Sequence, residues 1–283
     1  MKEVLVVANR TLGGAKLLEA VRTRAAAGDV RFRLIVPQTK PSAGLVVYDE
    51  AVREAAQVRV DLALSAVAAE GIEATGEVGD PDPFMATMDA VALHRPDEII
   101  LSTYPVQHSG WLRRDLIERI RNASALPVEH IVSDVEQEGL SFKVTLVVAH
   151  KTSSGEELLA HLREKAAGAE PRVFIAVVPQ LDGSGHAPRE ARARLASMLD
   201  RLHNPVDAVA AGLLSSGMIG DPDPYTATMA ALELFHVDDV VISTLPGERS
   251  GWLRSHLIER VRGATSIPVE HVVVDTTIAA TAA

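Results

Sequence analysis

The sequence predicts an α/β protein made of two tandem, doubly wound domains, each built on a five-stranded parallel sheet. The first observation behind this fold class is an internal duplication. Residues 79–134, which begin GDPDPFMATM, recur without a gap as residues 220–275, which begin GDPDPYTATM, at an offset of 141 residues (220 − 79). The second observation is that short apolar runs alternate with helical patterns in both copies. A repeat of this length indicates two similar domains rather than a solenoid.

The first copy begins with two strands joined by a helix. Residues 4–8 form an unbroken apolar run, as expected for a strand that is covered on both faces. A turn containing Gly13 and Gly14 leads into a helix whose apolar residues recur on one face. Residues 31–36 are the second strand, which ends at Pro37.

The middle of the copy continues the alternation. A helix is expected over residues 48–69 and a third strand over 72–78. Asp82 is suited to be a helix N-cap, and Pro83 stands at the first helical position. Together they predict a third helix that extends to Leu93.

The copy ends with two strands around a further helix. Residues 98–102 are the fourth strand, and Ser109 is expected to cap a helix over residues 110–121. Residues 128–132 are the fifth strand. In the second copy, the pair Asn204-Pro205 predicts a shorter second helix, over residues 189–202. The polar segment 135–141 is expected to be a linker, so the predicted domains are residues 1–135 and 142–276.

Composition excludes several classes of function. The 283-residue chain has no cysteine, which excludes disulfides, thiol catalysis and thiolate metal sites. Its net charge of -10 and its aromatic content of 4% argue against a nucleic acid as partner. No run approaches the roughly 18 apolar residues of a membrane span, and the N-terminal apolar run is too short for a signal peptide. We therefore expect a cytoplasmic protein with no membrane partner.

Several motifs that occur in both copies carry a resemblance to a known family. A polar residue ends the first strand (Asn9, His150), a Gly-Asp-Pro turn precedes the third helix, a Ser-Thr pair ends the fourth strand, and a Glu-Arg helix leads into a Pro-Val strand. In this order they resemble the tandem form of the universal stress protein family, over nearly all of both copies. The resemblance implies Rossmann-like domains, similar to those of the adenine nucleotide α-hydrolase-like group, and ATP or AMP as the ligand.

The loop after the fourth strand departs from that family. The family's phosphate loop has the form Gly-x2-Gly-x9-Gly-Ser/Thr, but Ser102 and Ser243 stand where the first glycine is expected. Gly110 and Gly251 are the loop glycines present in both copies. Because loop glycines let backbone N–H groups approach a phosphate closely, these differences bear directly on nucleotide binding.

The loop after the fourth strand of this chain still suits an anion, although it lacks the family's glycines. Its arginines lie in the first turn of a predicted helix, where a cation opposes the helix dipole by about 0.3–1 kcal/mol, and a bound anion would remove that cost. Ordinary solvated arginines are the alternative. The predicted binding residues are Asn9, Val36, Ser102, Thr103, Ser109, Gly110, Arg113 and Arg114 in the first copy, and His150, Val178, Ser243, Thr244, Ser250, Gly251 and Arg254 in the second.

Other conspicuous residues favour structural roles. Trp111 and Trp252 are expected to pack a helix against the sheet, with stacking on a cofactor as the alternative. His130 and His271, in the fifth strands, are expected in a core or an interface, since no second ligand stands at metal-binding spacing. No catalytic residue and no metal site is predicted.

These observations lead to one functional hypothesis with two alternatives. The hypothesis is a small-molecule binding protein for an adenine nucleotide or another phosphorylated ligand, with a stress-response or regulatory role and no turnover. The alternatives are a protein interaction module that binds no nucleotide and an ATP-hydrolysing enzyme. The two domains are expected to form an intramolecular pseudo-dimer through their fifth strands, and a further homodimer stays open.

Overall fold

The computed structural model describes residues 1–39, 49–105, 115–180, 187–203 and 214–275, without the side chains of Asp49, Glu50, Glu248 and Arg254. The chain divides into two compact units. Unit 1 comprises Met1–Lys40 and Ala55–Ser141, and unit 2 comprises Pro41–Glu54 and Phe142–Ala283.

The first sheet is formed by five parallel strands in the order β3-β2-β1-β4-β5. Helices alternate with the strands along the chain. The elements are β1 (Lys2–Val7), α1 (Ala15–Ala27), β2 (Val30–Pro37), α2 (Asp49–Ala69), β3 (Ala74–Gly79), α3 (Pro83–His94), β4 (Glu98–Thr103), α4 (Leu116–Ser124), β5 (Val128–Val132) and α5 (Val135–Glu138).

The second sheet repeats this topology in unit 2. Its parallel strands have the order β10-β9-β6-β7-β8, which is the order of the first sheet read from the other edge. The elements are β6 (Lys143–Val148), α6 (Glu156–Ala166), β7 (Arg172–Pro179), α7 (Ala187–His203), β8 (Ser215–Gly220), α8 (Pro224–Leu234), β9 (Asp239–Thr244), α9 (Gly251–Arg254), α10 (Leu257–Ala264) and β10 (Val269–Val273).

The central strands are buried on both faces, as their unbroken apolar runs predict. Val4, Leu5, Val6 and Val7 of β1 have no exposed surface, and Leu146, Val147 and Val148 of β6 are equally buried. Burial of both sheet faces is the physical reason for apolar runs without polar alternation. The predicted fold class, two doubly wound α/β domains with five-stranded parallel sheets, is confirmed.

The repeated Gly-Asp-Pro-Asp-Pro turn serves helix packing. Asp82 Oδ1 accepts a hydrogen bond from Phe84 N at 2.8 Å, so the predicted N-cap is confirmed, and Asp223 Oδ2 accepts one from Thr226 N at 3.0 Å in the second unit. A Cβ on Gly79 would lie 2.7 Å from the Cβ of the alanine that faces it on α3. Glycine is therefore required there by the close approach of strand and helix.

The helix predicted over residues 110–121 is wrong as one continuous element. Residues 106–114, including Ser109 and Gly110, lie outside the described part of the chain. α4 begins at Leu116, after Asp115 with φ 46°, and α10 begins at Leu257, after His256 with φ 53°. A left-handed residue cannot continue a right-handed helix, so the segment is broken at the same place in both units.

The structure also bears on the expected linker, residues 135–141, and on the fifth strand of each sheet. The expected linker is partly structured, because α5 forms within it, Val135 is fully buried, and Leu140 forms a β-bridge with Gly14. This correction arises because Val135 packs against the turn before α1. β5 and β10 are edge strands of their sheets, where Val132 and Val273 are 39% and 45% exposed.

Candidate functional site

The candidate site lies where the strand order of each sheet reverses. β1 pairs with β2 on one side and with β4 on the other, and β6 pairs in the same way with β7 and β9. In open parallel sheets the crevice at the carboxyl ends of two such strands is the usual place for a ligand. Residues 8–11 and 102–104 meet at this edge in unit 1, and residues 149–152 and 243–245 meet there in unit 2.

A cavity of about 280 Å³ occupies this edge of unit 2. Thr152 Oγ1 donates a hydrogen bond to the Ser243 carbonyl oxygen at 3.2 Å, which joins the segment after β6 to the end of β9. Ser250 Oγ accepts a hydrogen bond from Leu253 N at 3.3 Å and caps α9. The lining residues are His150, Lys151, Thr152, Ser243, Thr244, Leu245, Arg249, Ser250, Gly251 and Trp252.

Two buried polar atoms in this lining have no internal partner. Among the described residues, neither His150 Nδ1 nor Ser243 Oγ has a hydrogen-bond partner, and these side chains are 6% and 1% exposed. A buried polar group without a partner loses its hydration without compensation, at a cost of about 1–3 kcal/mol. A ligand in the cavity could supply both missing hydrogen bonds.

The charge state of the site favours an anion at its rim. Burial lowers the pKa of His150 to about 4, with smaller contributions from Arg194 and Lys151, so its imidazole is neutral at pH 7. The exposed Lys151 side chain supplies a positive charge beside it. Arg249 Nη2 donates to Asp275 Oδ1 at 2.9 Å, which partly neutralises the second cation of the lining.

A threonine–histidine pair recurs in both units. Thr244 Oγ1 lies 2.8 Å from His271 Nε2, and Thr103 Oγ1 lies 2.8 Å from His130 Nε2. Burial lowers the pKa of both imidazoles, helped by Arg262 at His271 and by Arg121 at His130. These histidines therefore hold the hydroxyl of the neighbouring strand at the site. Across the residues that the structure describes, no cluster of three or more His, Cys, Asp or Glu could hold a metal ion.

The equivalent edge of unit 1 is arranged differently. Asn9 Nδ2 donates to the Pro37 carbonyl oxygen at 3.2 Å and also to Thr39 Oγ1, while Asn9 Oδ1 accepts from Arg59 Nη1 at 3.0 Å. Ser102 Oγ, like Ser243 Oγ, is buried without a partner in the described part of the chain. The amide of Asn9 is thus engaged by protein groups, whereas the imidazole of His150 keeps an unused nitrogen.

The predicted binding residues fall into three groups. The structure brings His150, Ser243, Thr244, Ser250 and Gly251 together around one cavity in unit 2, and Asn9, Ser102 and Thr103 occupy the matching edge of unit 1. Val36 and Val178 have no exposed surface. Arg113 and Arg114 lie outside the described residues, as do Ser109 and Gly110, and the side chain of Arg254 is not described.

Sequence reasoning missed several residues of the two edges. Lys151 and Arg10 stand at equivalent positions directly after the first strand of each copy, so their shared positive charge was a signal available in the repeat. Arg59 had no such signal, because a single arginine in an amphipathic helix is indistinguishable from a solvated one. Trp252 lines the cavity and is partly buried, so both the packing role and the stacking alternative stay open.

The described residues thus define a duplicated, doubly wound α/β protein with a polar cavity at the strand-order reversal of unit 2. No family model matches the chain, and no curated protein matches it. Within the described residues, no helix is long and apolar enough to cross a membrane.

Solved structures offer distant similarities. The chain is similar to a universal stress protein from Archaeoglobus fulgidus DSM 4304, with 15% identity and a TM-score of 0.36 over 97% of each chain. A universal stress protein in complex with cAMP matches 47% of this chain and 98% of that chain, with 15% identity and a TM-score of 0.34. Because these TM-scores are low, the fold class rests on the sheet order itself.

Proposed function

We propose that unit 2 binds an adenine nucleotide or a related phosphorylated small molecule in its cavity, without turnover, in a stress-response or regulatory role. The observation that carries this proposal is the pair of buried, unpartnered polar atoms, His150 Nδ1 and Ser243 Oγ, in the lining of a cavity of about 280 Å³. That volume is close to the lower limit of about 300 Å³ for small-molecule sites and suits a mononucleotide better than a dinucleotide.

Each part of a nucleotide has a matching group in the lining. The Lys151 ammonium provides a point charge for a phosphate, and the Ser243 and Thr152 hydroxyls are hydrogen-bonding groups beside it. Trp252 presents an aromatic face on which a base can stack. The neutral imidazole of His150 offers one nitrogen to the base or the ribose.

Trp252 fluorescence provides a local test. In a Trp111→Phe background, Trp252 is the one remaining tryptophan of the chain. AMP or ATP should quench its emission and raise the melting temperature. A ligand at 100 times its dissociation constant stabilises the folded state by about 2.7 kcal/mol. Lys151→Gln should weaken the affinity roughly tenfold, which corresponds to about 1.4 kcal/mol. Arg10→Gln, at the equivalent position of unit 1, is the matched control and should leave the quenching unchanged.

Other outcomes favour the alternatives. If no nucleotide copurifies with the protein, quenches Trp252 or raises the melting temperature, the proposal is wrong and an interaction module becomes the better description. Release of phosphate from ATP in proportion to protein concentration would instead favour the ATP-hydrolysing enzyme.

A further inference from the structure

One cation of the unit 2 cavity is held by a carboxylate that follows the neighbouring strand. Arg249 ends a 3-10 turn (Gly247–Arg249) after β9, and its side chain lines the cavity. Arg249 Nη2 donates to Asp275 Oδ1 at 2.9 Å, and Asp275 lies two residues after the end of β10. The ion pair therefore joins the segments that follow β9 and β10 beside the cavity.

The backbone on both sides of this ion pair is fixed by hydrogen bonds. Val274 is 1% exposed, and its N donates to the Thr244 carbonyl oxygen at 2.9 Å, which extends the pairing of β10 with β9 up to Asp275. Arg249 N donates to the Pro246 carbonyl oxygen at 3.3 Å within the 3-10 turn. The ion pair can therefore open by rotation of its side chains, without a change in the strands.

The ion pair is weak enough for a ligand to replace it. The Arg249 side chain is 48% exposed and the Asp275 side chain is 42% exposed. Exposed ion pairs contribute little to stability, because water and salt screen them. A phosphate group offers the planar guanidinium the same fork of two oxygens as a carboxylate, and a phosphate monoester carries up to two negative charges at pH 7.

We propose that Asp275 competes with the phosphate of the ligand for Arg249, and so sets the affinity of the unit 2 site for phosphorylated molecules. This inference rests on the function proposed for unit 2 and adds its regulation. When a phosphorylated ligand binds, Arg249 leaves Asp275 and joins Lys151 in binding the phosphate. The competition lowers the affinity of every ligand that uses Arg249 and leaves a nucleoside without phosphate unaffected. The pair belongs to unit 2, because unit 1 has Asp134 and His108 at the equivalent positions.

A double-mutant cycle tests the competition, with AMP as the probe and Trp252 fluorescence in the Trp111→Phe background as the measurement, at constant ionic strength. Asp275→Asn should raise the affinity for AMP about two- to fivefold, the range expected for the release of an exposed ion pair. Arg249→Gln should lower the affinity several-fold, and Asp275→Asn should then bring no gain. Both residues also take part in further interactions, whose contributions cancel in the cycle.

A control ligand and a control variant separate the competition from a structural effect. Adenosine has the base and the ribose without the phosphate, so its affinity should be the same with and without Asp275→Asn. Asp275→Glu keeps the carboxylate and should bind AMP like the parent protein. Without ligand, the melting temperature of Asp275→Asn should stay close to that of the parent, since an exposed ion pair contributes little to stability.

Two results overturn the proposal and leave nucleotide binding itself intact. In the first, Asp275→Asn binds AMP no more tightly than the parent. In the second, the gain from Asp275→Asn is equal with Arg249 present or replaced, or equal for adenosine and AMP, because the effect would then not depend on an exchange of partners at Arg249. If neither the parent nor Asp275→Asn binds AMP in calorimetry, the function proposed for unit 2 is wrong as well.

Discussion

Replacing Gly220 with alanine should destabilise unit 2 through crowding between β8 and α8. The new Cβ would lie 2.7 Å from Ala227 Cβ and 2.9 Å from Val177 Cγ1, where ordinary contacts begin at 3.4 Å. Because Ala227 Cβ is fixed to the helix backbone, strand and helix would have to separate by about 0.7 Å (3.4 − 2.7). Overpacking of this kind costs about 1–3 kcal/mol, and the reduced freedom of the unfolded chain offsets about 0.4–1 kcal/mol. We expect a net loss of about 1–2 kcal/mol.

Urea unfolding of the full chain, followed by circular dichroism, measures this loss. Gly79→Ala reproduces the geometry in unit 1, where the new Cβ would lie 2.7 Å from Ala86 Cβ and 2.9 Å from Ile35 Cγ2, and it should cost a similar amount. Gly263→Ala is the control, because no atom lies within 4 Å of its new Cβ and the residue is exposed in α10. That variant should be neutral or stabilising by up to about 1 kcal/mol.

The reasoning is refuted if Gly220→Ala is as stable as Gly263→Ala. If Gly220→Ala instead keeps its stability and loses affinity for nucleotide, the repeated turn is a binding element. Either result would remove close packing as the reason for glycine at this position.

Two further predictions concern stability and pH. Asp223→Ala should lower the free energy of unfolding by about 0.5–2 kcal/mol, because Thr226 N loses its hydrogen-bond acceptor at the start of α8. Chemical denaturation measures this loss, and an unchanged midpoint would contradict the assigned cap. The folded-state pKa of His150 is lowered from 6.5 to about 4, so the unfolded chain takes up the proton first as the pH falls. Stability should therefore decline between pH 6.5 and pH 4, by up to about 1.4 kcal/mol per pH unit from this residue. Urea midpoints across that range should show a weaker pH dependence in His150→Gln, and an equal dependence in both proteins would be inconsistent with a neutral buried imidazole.

The strands and caps were predictable because their causes are local. The runs at β1 and β6 are apolar at successive positions because both faces of the sheet are covered. An unbroken apolar run can be recognised in the sequence itself. Asp82 followed by Pro83 specifies a helix start through its own side chain and its own backbone angle. Such signals need no knowledge of distant residues.

The break before α4 and α10 was missed because its cause is not local. Asp115 and His256 are residue types that take a left-handed conformation more often than most others, but both types also occur within helices, so neither residue alone marks a break there. The burial of Leu116 and Leu257 against their sheets fixes where the following helix begins. Packing of the later helix therefore overrides the continuous helical pattern of the sequence.

The duplication, the α/β class and the expectation of a site at the end of the fourth strand follow from the sequence alone, because repeats, periodicity and caps are properties of neighbouring residues. The difference between the two edges depends on the tertiary structure. Arg59 reaches Asn9 from a helix fifty positions away (59 − 9 = 50), and a neutral His150 arises from burial among distant strands. Burial and long-range hydrogen bonds are properties of the folded chain, so the structure was needed to distinguish a cavity with a neutral imidazole from an edge where Asn9 is held by Arg59.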